Sequence, residues 1–166
     1  MCVNVSCLLV NKTALPQTIA DAKQLLTEYG HYMYKELNLV DGKDSFYEKL
    51  KKFSGEEYEK PNGVFIIAYH NSIPVGIAGL RRFDATACEM KRMYVRPEYR
   101  GSKIGEALCI EVIKLAKELS FTKILLDTNR EMSAAIDLYK KFDFKEIPPY
   151  CININQNPVY MGLDLI

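Results

Sequence analysis

The run Val95-Arg96-Pro97-Glu98-Tyr99-Arg100-Gly101-Ser102-Lys103-Ile104-Gly105 constrains this chain more than any other part of it. It joins a strand-like segment to a helix-like one, and Pro97 and Gly101 break the backbone where one becomes the other. A strand that enters a helix through a glycine-containing turn leaves the first-turn N–H groups without intrahelical partners. Those donors, with the positive end of the helix dipole, favour a phosphate. Arg100 and Lys103 add two cations at the same place. The expectation is that something phosphorylated docks here.

The elements around this turn follow from periodicity. Residues 3–10 are β-branched and apolar and form a first strand. Pro16 suits a first helical position, and Ile19, Ala22, Leu26, Tyr29, Met33 and Leu37 recur at helical spacing as far as Asn38. Asp41-Gly42 breaks that helix, and Phe46, Leu50 and Phe53 mark a shorter second one. Residues 63–69 and 73–80, separated by His70-Asn71-Ser72, read as a hairpin. Residues 87–95 form a further strand, with Glu89, Lys91, Met93 and Val95 on one face and Met90, Arg92 and Tyr94 on the other.

After the turn, Ile104, Leu108, Val112, Leu115 and Leu119 make the apolar stripe of a helix laid on a sheet. A short strand at 123–126, a helix at 132–142 and a strand at 144–147 follow, and the alternation implies parallel pairing with right-handed crossovers. A polar excursion carrying Pro148-Pro149 precedes a last strand at 159–163. The front of the chain is antiparallel and the back parallel, so the expected fold is α/β with a mixed sheet, organised as one domain over residues 1–166.

A net charge of +1 gives no overall electrostatic reason to expect nucleic acid. The five cysteines are odd in number and none forms a C-x-x-C pair, which favours reduced thiols in a cytoplasmic protein over a disulfide or zinc framework, and no metal is expected. The N-terminal apolar run is too short to span a bilayer and lacks a basic flank, so neither a signal nor a membrane anchor is expected.

The run from Glu89 to Gly105 resembles the acetyl-CoA-binding motif of the GNAT N-acetyltransferase family, which places Arg/Gln-x-x-Gly-x-Gly/Ala at such a turn. Ala135, Leu138-Tyr139-Lys140-Lys141 and Phe144 resemble that family's second motif, and the order of elements matches over nearly the whole chain. The resemblance implies a sheet of about seven strands flanked by about four helices. It implies acetyl-CoA as co-substrate, bound by Met93, Tyr94, Val95, Arg100, Gly101, Ser102, Lys103, Ile104, Gly105, Glu106, Ala135 and Tyr139. Lys103 stands where the family's turn has its first glycine, and Asp143 where a glycine usually precedes the aromatic. Met132 replaces an asparagine often found seven residues before the tyrosine, and Asn129 is out of register with that position.

The implied reaction is transfer of acetyl to a primary amine of a small molecule or peptide, by direct attack in a ternary complex. A backbone N–H near Val95 would polarise the thioester carbonyl. An amine with a pKa of about 10 must lose a proton before it attacks, and Glu89 is the candidate base; the alternative is a carboxylate paired with Lys91, Arg81 or Arg82. Tyr139 is the candidate acid for the departing thiolate; its alternative is packing. A non-catalytic acyl-CoA-binding module, a protein lysine or N-terminal acetyltransferase and a plain phosphate binder stay open as other readings, and a homodimer is compatible with the resemblance. Arg81, Arg82 and Arg92 near the strand mouth would hold a carboxylate, which predicts an amine that also bears a carboxylate in preference to a polyamine.

Overall fold

A computed structural model describes residues 5–36, 56–153 and 155–165. Seven strands form one sheet in the order β1-β2-β3-β4-β5-β7-β6. They are β1 (Val5–Leu9), β2 (Gly63–His70), β3 (Ile73–Arg82), β4 (Ala87–Val95), β5 (Lys123–Asn129), β6 (Lys145–Glu146) and β7 (Pro158–Asp164). Three α-helices are present among the described residues: α1 (Pro16–His31), α2 (Ile104–Glu118) and α3 (Ser133–Lys141). The expected second helix around Phe46 lies outside the described residues. None of the described helices is long and apolar enough to cross a membrane.

Strands β1 to β4 pair antiparallel in sequence order. The β2–β3 connection is the two-residue loop Asn71-Ser72, with φ of +48° and +65°. Two positive φ values match the right-handed twist of the flanking strands, which is why so short a loop closes this hairpin. The α2 crossover makes β4 and β5 parallel. One expectation needs correction: β6 does not pair with β5, because β7 lies between them, antiparallel to both. A two-residue strand offers too few ladder bonds to hold an interior position, and the longer β7 takes it.

The sheet is covered on both faces. Val64, Ile66, Leu80, Met90, Ile124, Leu126 and Met161 face Ile104, Leu108, Val112 and Leu115 of α2, with Ile136 and Tyr139 of α3. Phe65, Ile67, Ile77 and Tyr94 face Ala22, Leu25 and Leu26 of α1, with Tyr58 completing this smaller cluster. Each fully buried large aliphatic contributes about 1.5–3 kcal/mol, and this burial outweighs the weak intrinsic propensity of either helix. Cys88 and Cys109 are buried free thiols, and burial pushes both up to about 12.

The helical periodicity extended to Asn38, whereas α1 ends at His31 and continues as a π-type turn, Tyr32–Glu36. This widened turn brings Tyr32 within 6.0 Å of the Tyr94 ring. Just before it, Glu28 accepts from Arg96 Nε and Nη2 at 2.8 Å each, tying α1 to the chain leaving β4. Those hydrogen bonds hold the Glu28 carboxyl below its ordinary 4.5. A depressed carboxyl stabilises the fold above its unfolded-state value and loses that contribution as pH falls through the folded value. Glu28→Gln should therefore lower the urea midpoint at pH 7, and its deficit should vanish when both proteins are unfolded well below pH 4.5.

Candidate active site

The site begins with a fault in β4. Ile77 pairs with Tyr94 and Gly79 with Lys91, so Arg92 and Met93 together oppose Ala78. Arg92 is the extra residue and takes φ +60°, the left-handed conformation of a β-bulge. The bulge reverses the alternation expected from sequence: Met93 joins Met90 on the α2 face, and Tyr94 joins the α1 face instead. It also turns β4 away from β5. Their pairing runs only from Ala87↔Lys123 to Glu89↔Leu125, although β4 continues to Val95 and β5 to Asn129. A fork opens beyond Glu89, edged by backbone.

Arg96 donates its N–H to Val75 O on β3 at 2.9 Å, so the alternation of an extended chain turns the Val95 N–H toward the fork. The turn that follows opens at the wide end of the same fork. Gly101 has φ +78°, and no heavy atom among the described residues lies within 4 Å of where its Cβ would stand. Lys103 has φ +60° and ψ 11° and is the N-cap of α2, with no side-chain cap hydrogen bond. Ala107 N–H reaches Lys103 O at 3.0 Å, which leaves the amides of Ile104, Gly105 and Glu106 aimed out of the helix end.

The expected cofactor residues divide by role. Gly101, Lys103 and the first amides of α2 shape an open cradle, whereas Ile104 is a core side chain that offers only its N–H. A Cβ on Gly105 would stand 3.0 Å from Leu138 Cδ2, so this glycine admits α3 against α2. Glu106 pairs with Lys141 at 2.7 Å across the same contact. Arg100 is spent on the protein itself: Nε donates to Val95 O at 3.2 Å, and the guanidinium lies 4.4 Å from the Tyr32 ring centroid. Met93, Tyr94 and Val95 present backbone to the fork, and Ala135 packs against the core from α3.

Ionic side chains crowd the narrow end of the fork. Glu89 is 2% exposed, and its Oε2 accepts from Arg81 Nε at 2.9 Å. Its Oε1 takes Lys91 Nζ at 3.1 Å and Tyr150 Oη at 2.8 Å. Lys91 Nζ also pairs with Asp127 Oδ1 at 2.5 Å, while Asn153 Nδ2 donates to Asp127 Oδ2 at 2.8 Å. Extending the parallel register by two residues places Lys91 opposite Asp127, so the ion pair spans the first open rung on this face. Donor atoms of Glu89, Asp127 and Cys151 lie within 4.8 Å of one another, but the Lys91 ammonium already sits between the two carboxylates where a metal would go. A pocket of about 520 Å³ opens beside Glu89, walled by Glu57, Asn62, Arg81 and Phe83.

Tyr139 is 6% exposed, its ring 5.8 Å from that of Phe144. Burial raises its phenol well above 10, so it stays protonated at neutral pH. Of the arginines expected to clamp a carboxylate, Arg81 and Arg82 both line the pocket beside Glu89, and Arg92 is not among its lining residues. Arg81 is engaged by Glu89 and, at 3.5 Å, by Glu57. Arg82 lies over the Phe121 ring at 4.8 Å and donates to backbone carbonyls. Arg92 is hydrogen-bonded with Tyr58. Sequence reasoning missed Asp127, whose signal was its position two residues past the last paired rung of β5. Asn129 is buried beside it, donating Nδ2 to Gln156 O at 2.7 Å while its Oδ1 has no partner among the described residues.

The Acetyltransferase (GNAT) family model matches residues 24–144. An uncharacterised N-acetyltransferase of Schizosaccharomyces pombe is 34% identical over 158 residues, covering 94% of each chain. A GNAT-family acetyltransferase of Staphylococcus aureus superposes with a TM-score of 0.79 at 23% identity, covering 98% of this chain and 99% of that one. The PaiA N-acetyltransferase of Thermoplasma acidophilum, solved in complex with coenzyme A, superposes with a TM-score of 0.71 at 19% identity, covering 97% and 99%. The chain belongs to the GNAT acetyltransferase family.

The left-handed backbone at Lys103 generates a stability test. A side chain in that conformation costs about 1–2 kcal/mol, partly offset by the greater freedom of glycine in the unfolded chain. Lys103→Gly should stabilise the fold by about 0.5–1 kcal/mol in urea titration, since Lys103 makes no side-chain cap that the change would remove.

Proposed function

We propose that this protein transfers the acetyl group of acetyl-CoA to a primary amine of a small molecule or peptide, by direct attack within a ternary complex. The observation that carries this reading is the fork: it runs from an uncapped helix terminus at its wide end to a buried carboxylate at its narrow end, a gap edged by backbone. Acetyl-CoA is the co-substrate. Gly101, Lys103 and the amides of Ile104, Gly105 and Glu106 bind its pyrophosphate, where the helix dipole and Lys103 offset the charge. The backbone of Met93 to Val95 lines its arm, and the Val95 N–H donates to the thioester oxygen as that oxygen gains charge.

Tyr139 is the proton donor to the departing thiolate, a role supported by a phenol that burial keeps protonated. Glu89 is the final proton acceptor for the amine. The acceptor enters through the pocket beside Glu89, whose walls carry both signs of charge. A panel of amines, amino acids and peptides, assayed for CoA release with mass detection of the product, tests the reading. Acetyl-CoA binding without an acetylated product from any amine would establish a binding module instead.

Two substitutions separate binding from chemistry. Gly101→Val should weaken acetyl-CoA binding by at least about 10-fold in calorimetry, because a β-branched residue resists φ +78° and swings the amides off the pyrophosphate. The protein should stay folded, since the added side chain meets open space, with the melting temperature lowered by about 2–8 °C for the strain at φ +78°. Tyr139→Phe should lower kcat by roughly 10- to 1000-fold with acetyl-CoA affinity unchanged, and full activity in that variant would make Tyr139 a packing residue.

A further inference from the structure

Glu89 is surrounded by three donors, and one of them alone can take up a proton while it gives its own. Oε2 accepts from Arg81 Nε at 2.9 Å and Nη2 at 2.8 Å; Oε1 accepts from Lys91 Nζ at 3.1 Å and Tyr150 Oη at 2.8 Å. At 2% exposure and with each carboxylate oxygen already engaged by two donor atoms, Glu89 has no oxygen left open to an amine. Guanidinium and ammonium groups donate and have no lone pair, so neither Arg81 nor Lys91 can receive a proton on its behalf. A phenol both donates and accepts. Tyr150 can therefore take a proton on its oxygen while releasing the one already aimed at Oε1.

We propose that Tyr150 is a catalytic residue of the acetyl transfer, receiving the acceptor's proton at Oη and passing its own to Glu89 Oε1. This inference rests on the transferase reading above. One N–H bond of the acceptor ammonium breaks as an O–H bond forms at Tyr150, and the former Oη–H bond breaks as one forms on Glu89; nothing is oxidised or reduced. The nitrogen lone pair so freed attacks the thioester carbon, and the C–S bond then breaks. Of the two protons that leave nitrogen overall, one ends on the CoA thiol and the other returns from Glu89 to solvent.

The surroundings suit Tyr150 to this task and leave the neighbouring groups less suited. Its ring stands edge-on between Phe83, at 5.3 Å and 89°, and Tyr160, at 5.6 Å and 78°, which fixes where Oη points. Burial and the Glu89 charge hold its phenol far above neutral pH, so it waits as a donor. Asp127 has one oxygen on Lys91 and the other on Asn153. The Cys151 thiol is pushed up by burial and stays protonated, and Glu57 is turned to the outer side of Arg81. Phe83 and Glu89, the two side chains that Tyr150 meets by ring edge and by hydrogen bond, both line the 520 Å³ pocket.

Tyr150→Phe removes the oxygen and keeps the ring contacts. With ethylamine as acceptor, the variant should bind acetyl-CoA as the wild type does while kcat/KM for the amine falls by about 10- to 100-fold at pH 7. The deficit should shrink as pH rises toward the amine pKa of about 10, where the amine arrives already neutral. With 2,2,2-trifluoroethylamine, similar in shape but neutral at pH 7, the loss should be below about 3-fold. Glu89→Gln should show the same dependence on basicity, and the double variant should be no slower than the worse single. Equal losses for both amines with an unchanged pH profile would assign Tyr150 a purely structural role and overturn the proposal. If ethylamine is not turned over, the best acceptor from the amine panel replaces it, and pH profiles of the same shape in wild type and variant overturn the proposal. No CoA release by the wild type with any amine would be a failure of the transferase reading itself.

Discussion

The departure of β4 from β5 after Glu89↔Leu125 is the constraint on which the rest of this structure depends. A sheet interior ordinarily satisfies its backbone groups from both sides, so a gap between neighbouring strands carries a cost unless something fills it. Here the opening has a local cause in the Arg92 bulge, which adds one residue to β4 and bends it toward β3. The same extra residue decides which side chains lie over the fork. Without it Met93 would share a face with Glu89 and Lys91; with it, Tyr94 takes that face and closes against Tyr29 and Tyr32.

The two ends of the fork are electrostatic opposites in design. At the wide end, helix amides stand uncapped over open space, an arrangement that favours a mobile, highly charged ligand from solvent. At the narrow end, Glu89 and Asp127 are matched by Arg81 and Lys91 within 3.1 Å. Burying one carboxylate without such partners would cost several kcal/mol, whereas here cationic donors offset that cost and hold both side chains in place. Removing water from this end also strengthens any charge rearrangement there, because screening is weaker than in solvent.

The loop 148–157 belongs to the site through side chains rather than through regular structure. Tyr150 reaches back to β4 and Asn153 to β5, so a segment with no strand among its described residues is tied to both arms of the fork. Such a loop can vary without disturbing the sheet, and loops of this kind commonly carry binding residues.

What the sequence by itself determined is local. The period of 3.6 in 104–119, the hairpin around His70-Asn71-Ser72 and the glycine-containing entry to α2 each depend on neighbours within a few residues; each stands in the structure, with His70 joining β2 so that the loop shortens to Asn71-Ser72. The Glu89 partners Arg81 and Lys91 were also within reach, one on the same strand and one across a hairpin. What only the tertiary structure decided depends on long-range registry. Nothing near Arg92 in sequence announces that it is the inserted residue; the bulge exists because β3 pairs with β4 at two registers that differ by one. The insertion of β7 between β5 and β6 depends on competition between strands of unequal length. The meeting of Tyr150 with Glu89, 61 residues apart, follows from both. Periodicity fixes which way a side chain points along its own element, while the partner it meets is settled by how the sheet is ordered and where its strands part.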